Sequence, residues 1–167
     1  MAQAQSAAKT RSSKFIQASP EILYRAFTDP AALVVWLAPH DMTGEIHSFD
    51  CRVGGGYRMS LRYPENGKAA KGKTAEREDK FTARFVELNP SRRIVEAITF
   101  ESANPDYCGE MTMVVTFEAE EKGTRVSVVF NNIPSGIRAE DNEAGTRSSL
   151  KKLSDYAEAK KKAMGQV

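Results

Sequence analysis

The sequence predicts an α+β domain in which a strongly curved antiparallel sheet of about six or seven strands wraps around a long C-terminal helix. Three observations predict it. Strand-like segments follow one another from residue 43 to residue 130. Short turns join most of them, so neighbours pair antiparallel and leave one apolar face to cover. The last segment, residues 141–162, keeps helical spacing and is the only element large enough to cover that face.

The elements can be justified in order. Residues 14–17 read as a short first strand. Ser19-Pro20-Glu21 then opens a helix: Ser19 suits the N-cap, Pro20 the first helical position, and Glu21 the positive helix end. Ile22, Leu23, Ala26 and Phe27 supply its buried side. Asp29-Pro30 repeats the signal and starts a second helix over 31–37, which carries the only tryptophan, Trp36, and ends before Pro39. Residues 43–50 form the next strand, and Gly54-Gly55-Gly56 bends the chain into another over 57–63. Residues 64–79 have no apolar period and read as a long loop. Strands follow at 81–88, 93–101, 111–119 and 124–130, with a hairpin turn at 120–123 and a Pro/Gly connection at 132–136.

Length and composition predict one domain over 14–162, with a disordered tail at 1–13 and a short tail at 163–167. A net charge of +2 against 24 basic and 22 acidic residues argues against nucleic-acid binding driven by bulk charge. No apolar run approaches the roughly 18 residues of a membrane span. The polar N-terminus lacks the apolar stretch of a secretory signal, so a cytoplasmic location is expected. Cys51 and Cys108 then read as free thiols.

The inward stripe of the last helix changes character along its length. It runs Asn142, Thr146, Leu150, Leu153, Ala157, with Gly145 and Ser149 beside its polar end. The apolar end reads as core. The small and polar end leaves room, which suggests the wall of a cavity for a small molecule.

The order and several motifs resemble the START-like (SRPBCC) superfamily with its helix-grip fold. The closer resemblance is to the activator of Hsp90 ATPase homologue (AHSA1-like) branch, often grouped with polyketide cyclase-like proteins. The residues that carry it are Ala18-Ser19-Pro20-Glu21, Ala26-Phe27-Thr28-Asp29-Pro30 and Trp36-Leu37-Ala38-Pro39. Further along come Arg52-Val53-Gly54-Gly55, Glu87-Leu88 with Arg92-Arg93-Ile94-Val95, and Glu143-Ala144-Gly145 to Ser149-Leu150-Lys151-Lys152-Leu153. The chain departs at Thr146, where much of the family has Trp, and in the length of the insert at 64–79. The loss of a large ring at Thr146 enlarges the cavity unless another side chain fills the space.

The resemblance gives the candidate ligand-binding residues a place. Trp36 lies at one end of the groove, as an aromatic wall or as a core plug beneath the helix pair. Tyr57, Met59, Phe100, Met111 and Met113 occupy alternating strand positions and suit either an adaptable pocket or ordinary sheet core. Glu96 shares a face with Ile94, Ile98 and Phe100. Turned inward it is a carboxylate among apolar groups, with a raised pKa and a capacity for proton transfer; turned outward it is solvated. Asn142 and Thr146 complete the set from the helix. Arg58, Arg62 and Arg84 read as a solvated face or as partners for an anionic ligand or for Glu96. His40 and His47 show no recognised metal spacing, and no nucleophilic-triad or phosphate-loop signature is present, so neither metal nor cofactor is expected.

Three functions are compatible with this resemblance. The first is binding of a hydrophobic small molecule between sheet and helix. The second is a polyketide cyclase-like enzyme that moves a proton through a group such as Glu96. The third is an Hsp90-type chaperone interaction, ranked last because the sequence shows no separate N-terminal activator domain.

Overall fold

The computed structural model describes residues 8–64, 73 and 77–165. Among these residues seven strands form one antiparallel sheet: β1 (Ala8–Ile16), β2 (Thr43–Asp50), β3 (Gly56–Arg62), β4 (Glu78–Asn89), β5 (Arg93–Phe100), β6 (Met111–Glu120) and β7 (Gly123–Ile133). Their spatial order is β1-β7-β6-β5-β4-β3-β2, so six consecutive strands meander and β1 returns to pair with β7. Helices α1 (Pro20–Thr28) and α2 (Pro30–Trp36) connect the two edge strands, and α3 (Ala139–Ala163) closes the fold. This is the helix-grip arrangement the sequence predicts.

Local chemistry explains the helix starts. Ser19 Oγ accepts a hydrogen bond from the Ile22 amide at 3.2 Å, and Asp29 Oδ1 accepts one from the Ala31 amide at 3.0 Å. Each cap is followed by a proline whose missing N–H needs no partner at that position. Leu33 and Phe27 are buried beneath the helix pair. Trp36 joins them there, packing edge-on against Phe27 with ring centroids 4.6 Å apart and donating its indole N–H to the Ala26 carbonyl at 2.9 Å.

The sheet bends where the sequence turns at its glycines. Gly56 starts β3, and a Cβ there would lie 1.9 Å from the Ala83 carbonyl oxygen, so only glycine lets the two strands approach. Opposite, the register of β4 on β5 slips between Phe85 and Glu87, an irregularity that adds local twist. Inward residues then alternate as the strand period demands: Tyr57 and Met59 on β3, Phe81, Ala83 and Phe85 on β4, Met111, Met113 and Val115 on β6. Leu150, Leu153 and Ala157 of α3 pack into this concave face and are buried.

Two boundaries differ from the sequence reading. The first strand begins at Ala8 rather than at 14, so residues 8–13 belong to the sheet and not to a disordered tail. Backbone pairing with β7 holds this polar stretch, and Thr10 is buried within it. A strand secured by ladder hydrogen bonds along an edge needs few apolar residues, so hydrophobic periodicity misses it. Likewise β4 starts at Glu78, inside the stretch read as a loop, because Glu78, Asp79 and Lys80 pair with Arg62, Leu61 and Ser60 of β3. The rest of that insert, 65–72 and 74–76, lies outside the described residues.

Candidate functional site

Between the concave sheet and the first half of α3 lies a partly open cavity of about 450 Å³. Its walls are apolar on the sheet side, with Tyr57, Phe81, Ile98, Phe100, Met111, Met113 and Phe130. Polar groups gather on the helix side and at the mouth: Asn142, Thr146 and Ser149 from α3, and His40, Arg138 and Asp141. The α3 stripe divides as its composition does. Leu150 and below fill the core, while Asn142, Gly145 and Thr146 border open space.

The helix polar groups are held by local bonds. Thr146 Oγ1 donates to the Asn142 carbonyl at 2.8 Å, one turn back, so its hydroxyl is folded onto its own helix. Ser149 Oγ donates to the Leu37 carbonyl at 2.6 Å, and Lys152 Nζ donates to the carbonyls of Ala38 and His40, both at 2.6 Å. These contacts tie the loop after α2 to α3 and set one edge of the cavity.

A buried acid forms the opposite edge. Asp79 accepts from the Tyr63 hydroxyl at 2.9 Å, from the Lys73 amide at 2.6 Å and from Lys73 Nζ at 2.7 Å. Burial, with the adjacent Asp79 charge, pushes the Tyr63 phenol well above its usual pKa. The Lys73 ammonium also lies 5.7 Å from the centroid of the Phe100 ring.

Glu96 turns inward and is fully buried. It sits at the centre of the sheet, opposite Phe85 on β4 and Met113 on β6. Its Oε1 accepts a 2.8 Å hydrogen bond from the Tyr57 hydroxyl, and its Oε2 has no hydrogen-bond partner among the described residues. Desolvation raises its pKa to about 7, with the Tyr57 hydrogen bond holding it partly back. Burial and the Glu96 charge in turn push the Tyr57 phenol well above its ordinary value.

Of the nine residues singled out from the sequence, Tyr57, Phe100, Met111, Met113, Asn142 and Thr146 border the cavity. Trp36, Met59 and Glu96 do not. Trp36 is committed to the core under the helix pair, and Met59 is fully buried against the strand beside Gly44. Glu96 lies behind the cavity wall, hydrogen-bonded to Tyr57 and paired across the strands with Met113, both of which border the cavity. The strand arginines lie on the other face: Arg58 pairs with Glu101, Arg62 with Glu45 and Glu78, and Arg84 with Glu110. His47 shares a hydrogen bond with Ser60 at 2.8 Å. Among the described residues, no group of three His, Cys, Asp or Glu comes together as a metal site.

Sequence reasoning passed over Phe81, Ile98 and Phe130. The signal for Ile98 was available, since it alternates with Glu96 and Phe100. The Tyr63–Asp79–Lys73 cluster left no signal, because its acid lies in a stretch that reads as a polar loop.

A concave antiparallel sheet, a long helix across it and a chamber between them define a START-like helix-grip domain. Solved structures share it. A protein from Chromobacterium violaceum is 32% identical, with a TM-score of 0.79 over 90% of this chain and 96% of its own. An AHSA1-like protein from Aeromonas hydrophila is 21% identical (TM-score 0.67; 91% of this chain and 93% of that one), and a Rhodobacter sphaeroides protein is 20% identical (TM-score 0.70; 94% and 97%). These last two are likenesses of fold. No curated protein matches the sequence. The family model described as activator of Hsp90 ATPase homolog 1-like protein matches residues 17–158, and the chain belongs to that family. No helix among the described residues is long and apolar enough to cross a membrane.

Proposed function

We propose that the protein binds a hydrophobic small molecule in the chamber between the sheet and α3. The observation that carries this reading is the chamber itself: about 450 Å³, within the range of small-molecule sites, walled by aromatic and methionine side chains with a few fixed polar groups at its edges. Methionines such as Met111 and Met113 let such a wall adapt to ligand shape. A cytoplasmic setting belongs to the same reading and accords with the two exposed free thiols, Cys51 and Cys108.

Native mass spectrometry of protein isolated gently from its own host tests this directly. A retained small molecule, displaced by denaturation, is the expected result. An empty protein that also shows no thermal shift across a library of lipids and aromatic compounds would overturn the reading. An Hsp90 ATPase assay separates the chaperone alternative, which predicts stimulation that the small-molecule reading does not.

A further inference from the structure

We infer that Tyr57, backed by Glu96, is a proton-coupled anchor for a carbonyl oxygen, so that the chamber selects an apolar molecule carrying a ketone or quinone group. This rests on the small-molecule reading above and names the chemistry that the sheet side of the chamber recognises. Tyr57 borders the cavity and also holds Glu96, at 2.8 Å. Its phenol has one proton, and the direction of that proton depends on its partner. While Glu96 is a carboxylate, the phenol donates to it and offers the cavity only an acceptor. Once Glu96 takes up a proton from solvent, the acid can donate to the Tyr57 oxygen. The phenol O–H is then released to point at a ligand acceptor.

Among the described residues Oε2 has no hydrogen-bond partner, so the Tyr57 oxygen is the acceptor there for the acid's proton. A neutral Tyr57–Glu96 pair therefore directs a donor towards an otherwise apolar wall. A carbonyl that accepts this donor gives the phenol proton a partner while the acid's proton rests on the Tyr57 oxygen, so both buried donors are hydrogen-bonded. Burial, which raises the carboxyl to about 7, makes the proton available near neutrality.

Among the described residues, the side chains that flank the pair on the sheet are apolar. On β5 the flanking inward residues are Ile94 and Ile98; β4 presents Ala83 and Phe85, β6 presents Met113 and Val115, and β3 presents Met59. Among the titratable and charged groups, Tyr63, Lys73 and Asp79 line the cavity from the β3–β4 side, and Tyr107 lines it from the loop after β5. His40 lines it from the loop after α2, and Arg138 and Asp141 from the start of α3.

The test compares benzophenone with diphenylmethane, which has the same two rings but no carbonyl, by calorimetry on the intact protein at pH 6 and pH 9. Wild-type protein should prefer the ketone about tenfold at pH 6, the effect of one buried hydrogen bond, and lose most of that preference at pH 9. Tyr57→Phe should abolish the preference at both values. Glu96→Gln, whose amide can donate to Tyr57 at any pH, should keep the preference at pH 9, which ties the pH dependence to this carboxyl. Equal binding of ketone and hydrocarbon at pH 6, or a preference unchanged at pH 9 in the wild type, overturns the anchor and leaves the small-molecule reading standing. Binding of neither probe overturns the anchor as well, while the small-molecule reading falls only if native mass spectrometry and the library screen are also negative.

Discussion

Replacing Glu96 with Gln should stabilise the protein at alkaline pH and do little at acidic pH. The buried carboxyl titrates at about 7 in the folded protein, against about 4.5 in the unfolded chain. Between these values the folded state holds a proton that the unfolded state has given up. Stability from this group is therefore fully present below about pH 4.5, falls as pH rises through 7, and levels off above it. A difference of about 2.5 pKa units corresponds to roughly 3 kcal/mol. Glu45 and Glu101, whose carboxyls are held low by Arg62 and Arg58, act in the opposite sense and are lost on acidification, but the substitution leaves them in place. The difference between variant and wild type therefore isolates Glu96. Urea denaturation at pH 4.5 and pH 9 should show that difference growing by about 3 kcal/mol, or roughly 6–12 °C in melting temperature for a chain of this size. A difference that is the same at both pH values would refute the reasoning, because it would mean that Glu96 does not carry a displaced proton.

Two further outcomes are expected. Thr146→Trp puts a large ring into the chamber from α3, where the present hydroxyl is folded back onto the Asn142 carbonyl; bound benzophenone should weaken at least tenfold with the circular dichroism spectrum retained, and unaltered binding would show that this helix face does not contact ligand. Trp36→Phe removes the 2.9 Å bond to the Ala26 carbonyl and part of the packing on Phe27, so unfolding should become easier by about 1–3 kcal/mol. Its ligand affinity, measured by the same calorimetry, should match the wild type, because Trp36 lies outside the chamber wall.

Much of the architecture is legible in the residues. Ser19-Pro20 and Asp29-Pro30 announce the two short helices, since capping is a local hydrogen-bond problem solved by neighbours in sequence. The alternation of Tyr57, Met59 and Leu61 marks a strand half-buried on one face. The stripe from Asn142 to Ala157 shows a helix with one end suited to core and the other not. These signals survive without tertiary knowledge because each depends on a period of two or of 3.6 residues. Residues 8–13 and Glu78–Lys80 escape because ladder hydrogen bonds to partners distant in sequence hold them, and their side chains are mostly polar.

Sequence alone determined the helix-grip order, the family, and the helix end that leaves room. It left the orientation of β5 open, since both faces of that strand carry apolar residues. Packing decided it: with Ile94 and Ile98 drawn into the concave face, Glu96 has to follow them, and Tyr57, 39 residues away, hydrogen-bonds its carboxylate there. Trp36 and Met59 were consumed by the core, while Phe81, Ile98 and Phe130 reached the chamber. Which side chain fills space and which borders it depends on the curvature of seven strands together and the depth at which α3 settles, and no window of sequence contains that sum.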